Sequence, residues 1–126
     1  MYSRRVHLVL SLSGLLGLTM SALAQPAPTI IWSGFPPGGL GDQVSRPLLE
    51  RMKGLYPGVM IHDSKPGAGG RIAADFVKRA APDGATLLQV PSSPITLYPH
   101  LYGKKLTYDP LVDFVPVAPL AAYTSP

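Results

Sequence analysis

The sequence predicts an α/β fold, an open and mainly parallel sheet with helices on its faces. Three observations predict it. Short apolar runs alternate with segments of helical period in the order β-α-β-α-β. Glycine-rich loops follow the first two apolar runs, where strand passes into helix. The third run is continuously apolar, as in a strand covered on both faces.

The chain of 126 residues opens on an export pattern. Arg4 and Arg5 form a positive n-region, Val6 to Met20 a mostly apolar h-region, and Ala22-Leu23-Ala24 a small-x-small cleavage site. The apolar stretch is shorter than the roughly 20 residues that span a bilayer. Residues 1–24 therefore read as a cleaved signal peptide, with the mature chain starting at Gln25. No later apolar run is long enough to cross a membrane.

Gln25 to Thr29 is a Pro-bearing leader. Ile30-Ile31-Trp32 starts the first strand, and Phe35-Pro36-Pro37-Gly38-Gly39-Leu40-Gly41 breaks it. Asp42 is the expected N-cap of the helix that follows, with Val44, Leu48, Met52 and Leu55 as its apolar face. Pro47 costs about 3 kcal/mol in a helix interior. Either the regular helix begins near Ser45 or its first turn is distorted. Gly54 and Pro57 end it.

Val59-Met60-Ile61-His62 predicts the second strand, and Lys65-Pro66-Gly67-Ala68-Gly69-Gly70 the second glycine loop. Ile72, Ala73, Phe76, Val77 and Ala80 form the apolar face of a second helix. After the turn at Pro82-Asp83-Gly84, Thr86 to Val90 is the third strand. The loop Pro91 to Pro94 leads to a short segment ending near Tyr102. Tyr108-Asp109-Pro110 turns the chain, and Phe114 to Ala118 predicts a final strand.

Composition excludes several classes. With no cysteine, an exported domain must stand on its hydrophobic core. The net charge is +4, but Arg4 and Arg5 leave with the signal. The remaining cations are scattered, so no basic stripe supports nucleic-acid binding. His62 and His100 have no partner at metal-ligand spacing, and no metal or cofactor is expected.

Ligand chemistry concentrates in the loops at the C-terminal ends of the three strands, the edge where open α/β sheets bind ligands. The loop Phe35 to Asp42 is the most suggestive, because a helix N-terminus offers unpaired N–H groups to a carboxylate or phosphate. The second loop lacks the dinucleotide fingerprint, since Ile72 holds the third glycine position. The third offers the hydroxyls of Ser92 and Ser93, but Pro91 and Pro94 flank them in place of a nucleophile elbow. Asp42 is better read as a cap than as a base. No catalytic set emerges.

Together these motifs resemble the Bug receptors, the solute-binding proteins of tripartite tricarboxylate transporters. Phe35-Pro36-Pro37-Gly38-Gly39 with Asp42 is similar to the family's first ligand loop, and Lys65 to Gly70 to its Arg-Pro-Gly-Ala-Gly-Gly segment. Ala81 to Gly84, Thr86 to Leu88, Pro99 to Tyr102, Tyr108 to Pro110 and Asp113 to Ala118 follow in the family's order. Gly34, where the family often has proline, and Lys65, where it has arginine, depart from it. The resemblance implies a periplasmic-binding-protein-like fold whose two lobes close on a small carboxylate-bearing solute. It implies membrane transporter subunits as partners, a monomer, and ligand contacts at Phe35, Gly38, Gly39, Asp42 and Ser92. Two lobes need roughly 200–300 residues. Residues 25–126 are therefore expected to form the N-terminal portion of the first lobe, without the second. Two alternatives stand beside this: a secreted α/β enzyme acting on an anionic or phosphorylated substrate, and a truncated copy that does not function alone.

Overall fold

The computed structural model describes residues 27–122. The signal-peptide reading of residues 1–24 and the mature start at Gln25 lie outside the described residues. The chain runs β1 (Thr29–Ser33), α1 (Leu40–Met52), β2 (Met60–Ser64), a 3-10 turn (Ala68–Gly70), α2 (Arg71–Lys78) and β3 (Thr86–Gln89). Two short helices follow, α3 (Ser93–Thr96) and α4 (Tyr98–Tyr102), with a 3-10 turn at Gly103–Lys105. The strands form one parallel sheet in the order β2-β1-β3. This is the expected open α/β arrangement, with the first strand at its centre.

Register sets the two faces. Ile31 pairs with His62 and Leu87, and Ser33 with Ser64 and Gln89. In a parallel pair, side chains in register share a face. One face therefore carries Ile31, Ser33, His62 and Gln89, and α1 packs on it through Ser45 and Asp42. The other carries Trp32, whose ring meets Phe76 of α2 edge to face at 4.7 Å. Ala73 and Ala74, both fully buried, bring α2 close to that face. Lys65 closes the aromatic pair, its Nζ 4.3 Å from the Phe76 ring and 5.0 Å from Trp32.

Several local expectations are corrected. Asp42 is not the N-cap of α1. Gly39 holds that position, and Asp42 is the third residue of the helix. Because α1 begins at Leu40, Pro47 lies in its interior rather than in its first turn. Proline has no N–H to give the Gln43 carbonyl there, and Pro47 is exposed, so water can take that bond. Leu55 lies beyond the helix and is 83% exposed. The second strand starts one residue later than Val59 and ends at Ser64. Ile72 is half exposed, because the paired alanines turn α2 so that Ala73, Ala74 and Val77 face the sheet. β3, an edge strand of this sheet, is not buried on both faces: Thr86, Leu87 and Leu88 are part-exposed and only Gln89 is buried.

Phe114 to Ala118 forms no strand. Pro116 removes a ladder donor, and Val115 and Val117 stay exposed. The segment is tied at its start, where Phe114 meets Tyr108 edge to face at 5.7 Å. Tyr108 is buried and donates its hydroxyl to the Pro94 carbonyl at 2.9 Å. That burial also pushes its phenol above the ordinary tyrosine value.

The loops meet beyond the sheet. Gly34 donates its N–H to the Gln89 carbonyl at 2.8 Å, and Lys65 to the Ser33 carbonyl at 2.8 Å. A Cβ on Gly34 would stand 2.9 Å from both the Gly70 Cα and Val90 Cγ1. A methyl at residue 34 thus has to push a backbone, which cannot swing aside as a side-chain tip can. Gly34→Ala is expected to destabilise the protein by about 1–3 kcal/mol, as overpacking does. Urea unfolding measures it, and an unchanged midpoint would show that the three loops do not meet this tightly.

Candidate functional site

The candidate site is built where β1 ends and α1 begins. β1 leads into Gly34 and a turn at Phe35 to Gly39, so the first turn of α1 lies at the end of the central strand. Gly38 has φ +76°, a left-handed conformation natural to glycine. Gly41 must be glycine for another reason, because a Cβ there would run into Ser33 Oγ and stand 3.1 Å from the Phe35 ring.

The backbone donors of this turn divide into two groups. Phe35 gives its N–H to Ser33 Oγ at 3.2 Å, Gly38 to Asp42 Oδ2 at 2.8 Å, and Gly39 to the Pro36 carbonyl at 3.0 Å. These three hold the loop's shape. Among the described residues, the N–H groups of Leu40, Gly41 and Asp42 meet no protein acceptor. They are the orphan donors of a helix start, and they carry the positive end of its dipole.

Asp42 is the hub beneath the turn. It is only 6% exposed. Oδ2 accepts from Gly38 N–H and from Arg46 at 3.0 Å, and Oδ1 lies 2.9 Å from His62 Nδ1. This is the reciprocal half of a capping box, with the acid at N3 reaching back to the chain before the helix. The Gly38 N–H first, then Arg46, hold the Asp42 carboxyl below the ordinary carboxylate range. The charge of His62 adds to this, while burial opposes it.

Behind Asp42 the polar contacts continue into the sheet. His62 Nε2 is 3.2 Å from Gln89 Oε1, and Ser45 donates to the same oxygen at 2.7 Å. Gln89 Nε2 donates to the Gly41 carbonyl at 3.4 Å. Sequence reasoning placed His62 on a strand but assigned no role to His62, Gln89 or Ser45. The available signal was a histidine and a glutamine inside strands of a parallel sheet, where both faces are usually apolar. Ser45 bonds to Gln89 and not to the histidine, so no serine–histidine–aspartate set is assembled here.

The second and third loops border the same edge. Arg71 opens α2 with Nε bonded to the Ala68 carbonyl at 3.1 Å and its guanidinium 4.2 Å from the Tyr102 ring. Ser92 lies in the third loop, exposed, its carbonyl accepting the N–H groups of Ile95 and Thr96. Phe35, Gly38, Gly39 and Asp42 are thus brought together in one turn. Among the described residues, no hydrogen bond joins Ser92 to them. A shallow hollow of about 400 Å³ opens beside Gly38, Asp42 and Arg46. A larger one, of about 530 Å³, runs between the second half of α1 and the start of β2. Its walls mix Arg46 and Lys53 with Glu50, so they favour no one sign of charge.

The lowered value for Asp42 has a definite sign. Its contribution to stability is complete above the ordinary carboxylate value of about 4. It is lost as pH falls through the lower folded value. Asp42→Asn is expected to melt below the unmodified protein at neutral pH. The gap between the two should narrow as pH drops below about 4. Melting temperature against pH for both proteins measures this, and a gap that stays constant to pH 2 contradicts the role given to the carboxylate.

Comparison with known proteins places this geometry. A family profile described as the tripartite tricarboxylate transporter family receptor matches residues 44–125. A UPF0065 protein of Bordetella bronchiseptica is 41% identical over 83 residues, covering 66% of this chain and 24% of that protein. BugT of Bordetella pertussis is 34% identical over 97 residues, covering 73% of this chain and 30% of BugT. The chain thus spans only 24–30% of the length of these relatives. A solved structure described as a periplasmic transporter superposes with TM-score 0.61 at 36% identity, over 69% of this chain and 29% of that one. The Rpa4515 protein of R. palustris, solved with adipate, superposes with TM-score 0.58 at 25% identity, over 68% of this chain and 29% of its own.

Proposed function

The chain belongs to the tripartite tricarboxylate transporter receptor family, and from that premise we propose that it serves in a periplasmic solute-binding receptor for a small carboxylate-bearing metabolite. The observation that carries the reading is the set of N–H groups at Leu40, Gly41 and Asp42 at the end of the central strand, which meet no acceptor among the described residues. A carboxylate placed there meets several donors and the positive end of α1. Phe35, Gly38 and Gly39 shape the turn around it, and Ser92 offers a hydroxyl from the third loop. Adipate in the R. palustris relative supports a dicarboxylate as the solute class.

Residues 25–126 form the first part of one lobe in this reading, and a second lobe supplies the opposing wall. Capture is closure of the two lobes about a hinge, followed by handover to membrane transporter subunits. The export pattern of residues 1–24 delivers the chain to the periplasm of a Gram-negative cell, where it acts as a monomer. No covalent bond is made or broken, so the protein is a receptor and not an enzyme.

Two measurements test this. Coding DNA read past the Pro126 codon is expected to continue, directly or after one frameshift, into a second α/β lobe. Unrelated sequence there removes the two-lobe reading for this gene copy. In a thermal-shift series with adipate, succinate, glutarate and citrate, at least one acid is expected to raise the melting temperature with concentration. Ligand at a hundredfold excess over Kd stabilises by about 2.7 kcal/mol. No shift with any carboxylate overturns the solute reading.

A further inference from the structure

Gln89 grips the first loop at both ends. Its main-chain carbonyl accepts the N–H of Gly34 at 2.8 Å, and its side-chain amide donates to the carbonyl of Gly41 at 3.4 Å. His62 joins the same residue to Asp42, which in turn holds Gly38. Three anchors of the loop, at Gly34, Gly38 and Gly41, therefore lead to two residues, His62 on β2 and Gln89 on β3. Both lie on the face that α1 covers, and the His62 side chain is 5% exposed.

The hydrogen bonds also specify a protonation state. Gln89 must turn its NH2 toward the Gly41 carbonyl, since the reverse orientation would set oxygen against oxygen. Its Oε1 then faces Ser45 and His62, so His62 Nε2 has to carry a proton. Nδ1 faces the Asp42 carboxylate and has to carry one too. The full set of bonds exists only for the imidazolium. When the ring loses a proton, one of two things follows. Asp42 loses its bond from Nδ1, or Gln89 turns over and releases Gly41. The charged groups around the ring are Asp42 and Arg46 from α1. Glu50, Lys53 and Tyr56 line the hollow that His62 also reaches. Gln89 and Ser45 are neutral.

We propose that His62 and Gln89 are positioning residues for solute capture, holding the Gly38 turn and the free N–H groups of α1 in place while His62 is an imidazolium and releasing them when it is neutral. The proposal rests on the reading of this loop as the carboxylate site. A solute is then held more tightly at acidic than at alkaline pH. The expected difference is about fivefold, the worth of one net hydrogen bond.

Two readouts on the full-length protein separate the loop from the solute. In a pH series from 5 to 8.5 followed by NMR, the amide signals of Gly38 and Gly41 are expected to move with the His62 ring signal and to share its midpoint. In His62→Gln, a neutral side chain at every pH, those amides are expected to stop moving. Calorimetry with adipate as the probe is expected to give about fivefold tighter binding at pH 5.5 than at 8. The difference should vanish in His62→Gln and in Gln89→Leu. Amides that ignore the ring, or adipate affinity that is equal at both pH values, overturn the proposal. If the amides follow the ring and no carboxylate binds at any pH, the solute reading falls and the loop linkage survives it. The amide titration needs only the unmodified protein, so a variant that fails to fold leaves the test standing.

Discussion

A carboxylate that is 6% exposed has to be bonded on all sides, and much of this structure follows from that requirement at Asp42. An uncompensated charge there would be costly. Gly38, Arg46 and His62 supply the compensation. His62 can reach it only from β2, so β2 must present a polar ring inside a parallel sheet face. The ring's second nitrogen then needs its own partner, which brings in Gln89 from the neighbouring edge of the sheet. Ser45 completes the oxygen that the ring shares. Each polar residue of the α1 face is thus a consequence of the one before it.

The two faces of the sheet divide the labour. On the α2 face, Trp32, Phe76, Ala73 and Ala74 bury apolar surface, at about 25 cal/mol per Å². On the α1 face the helix start is pinned by hydrogen bonds, each with a net worth of only about 1 kcal/mol. Replacing a buried polar cluster of this kind with apolar residues of equal volume is often neutral or stabilising. Stability is therefore a poor explanation for the α1 face. What the cluster supplies is direction. It fixes where the turn at Gly38 points and which backbone N–H groups remain free.

Much of the fold was legible because periodicity is local. The three strands and two main helices stand close to where apolar spacing places them, and the glycine loops fall at the strand ends. The misplacements have local rivals as their cause. Asp42 carries the signature of an N-cap, but an acid at the third helical position can satisfy a donor just as well by reaching back. Phe114 to Ala118 is continuously apolar, as a strand can be, yet Pro116 breaks the donor row. Ile72 fits a helical apolar face that two adjacent alanines rotate away from it. The site was half legible. The Phe35 to Asp42 turn announces itself in its glycines. The pairing of His62 with Gln89 joins residues 27 apart in sequence, and no spacing rule reports it.

Placing an anion beside a buried aspartate invites an objection from magnitude. Two like charges about 4 Å apart repel by about 4 kcal/mol at an effective dielectric of 20. The end of a helix returns only about 0.3–1 kcal/mol to an exposed anion. With Asp42 bare, the helix start would reject a carboxylate in spite of its free donors. The balance changes because Asp42 is already matched, by Arg46 at 3.0 Å and by His62 at 2.9 Å. A carboxylate placed there as proposed would then meet N–H groups and an aspartate already bonded to Arg46 and His62. In the proposed reading Arg46 and His62 therefore bear on the carboxylate's place along with the N–H groups, although neither has to touch the solute. Free donors alone do not make a helix start receptive. The charge beneath them decides it.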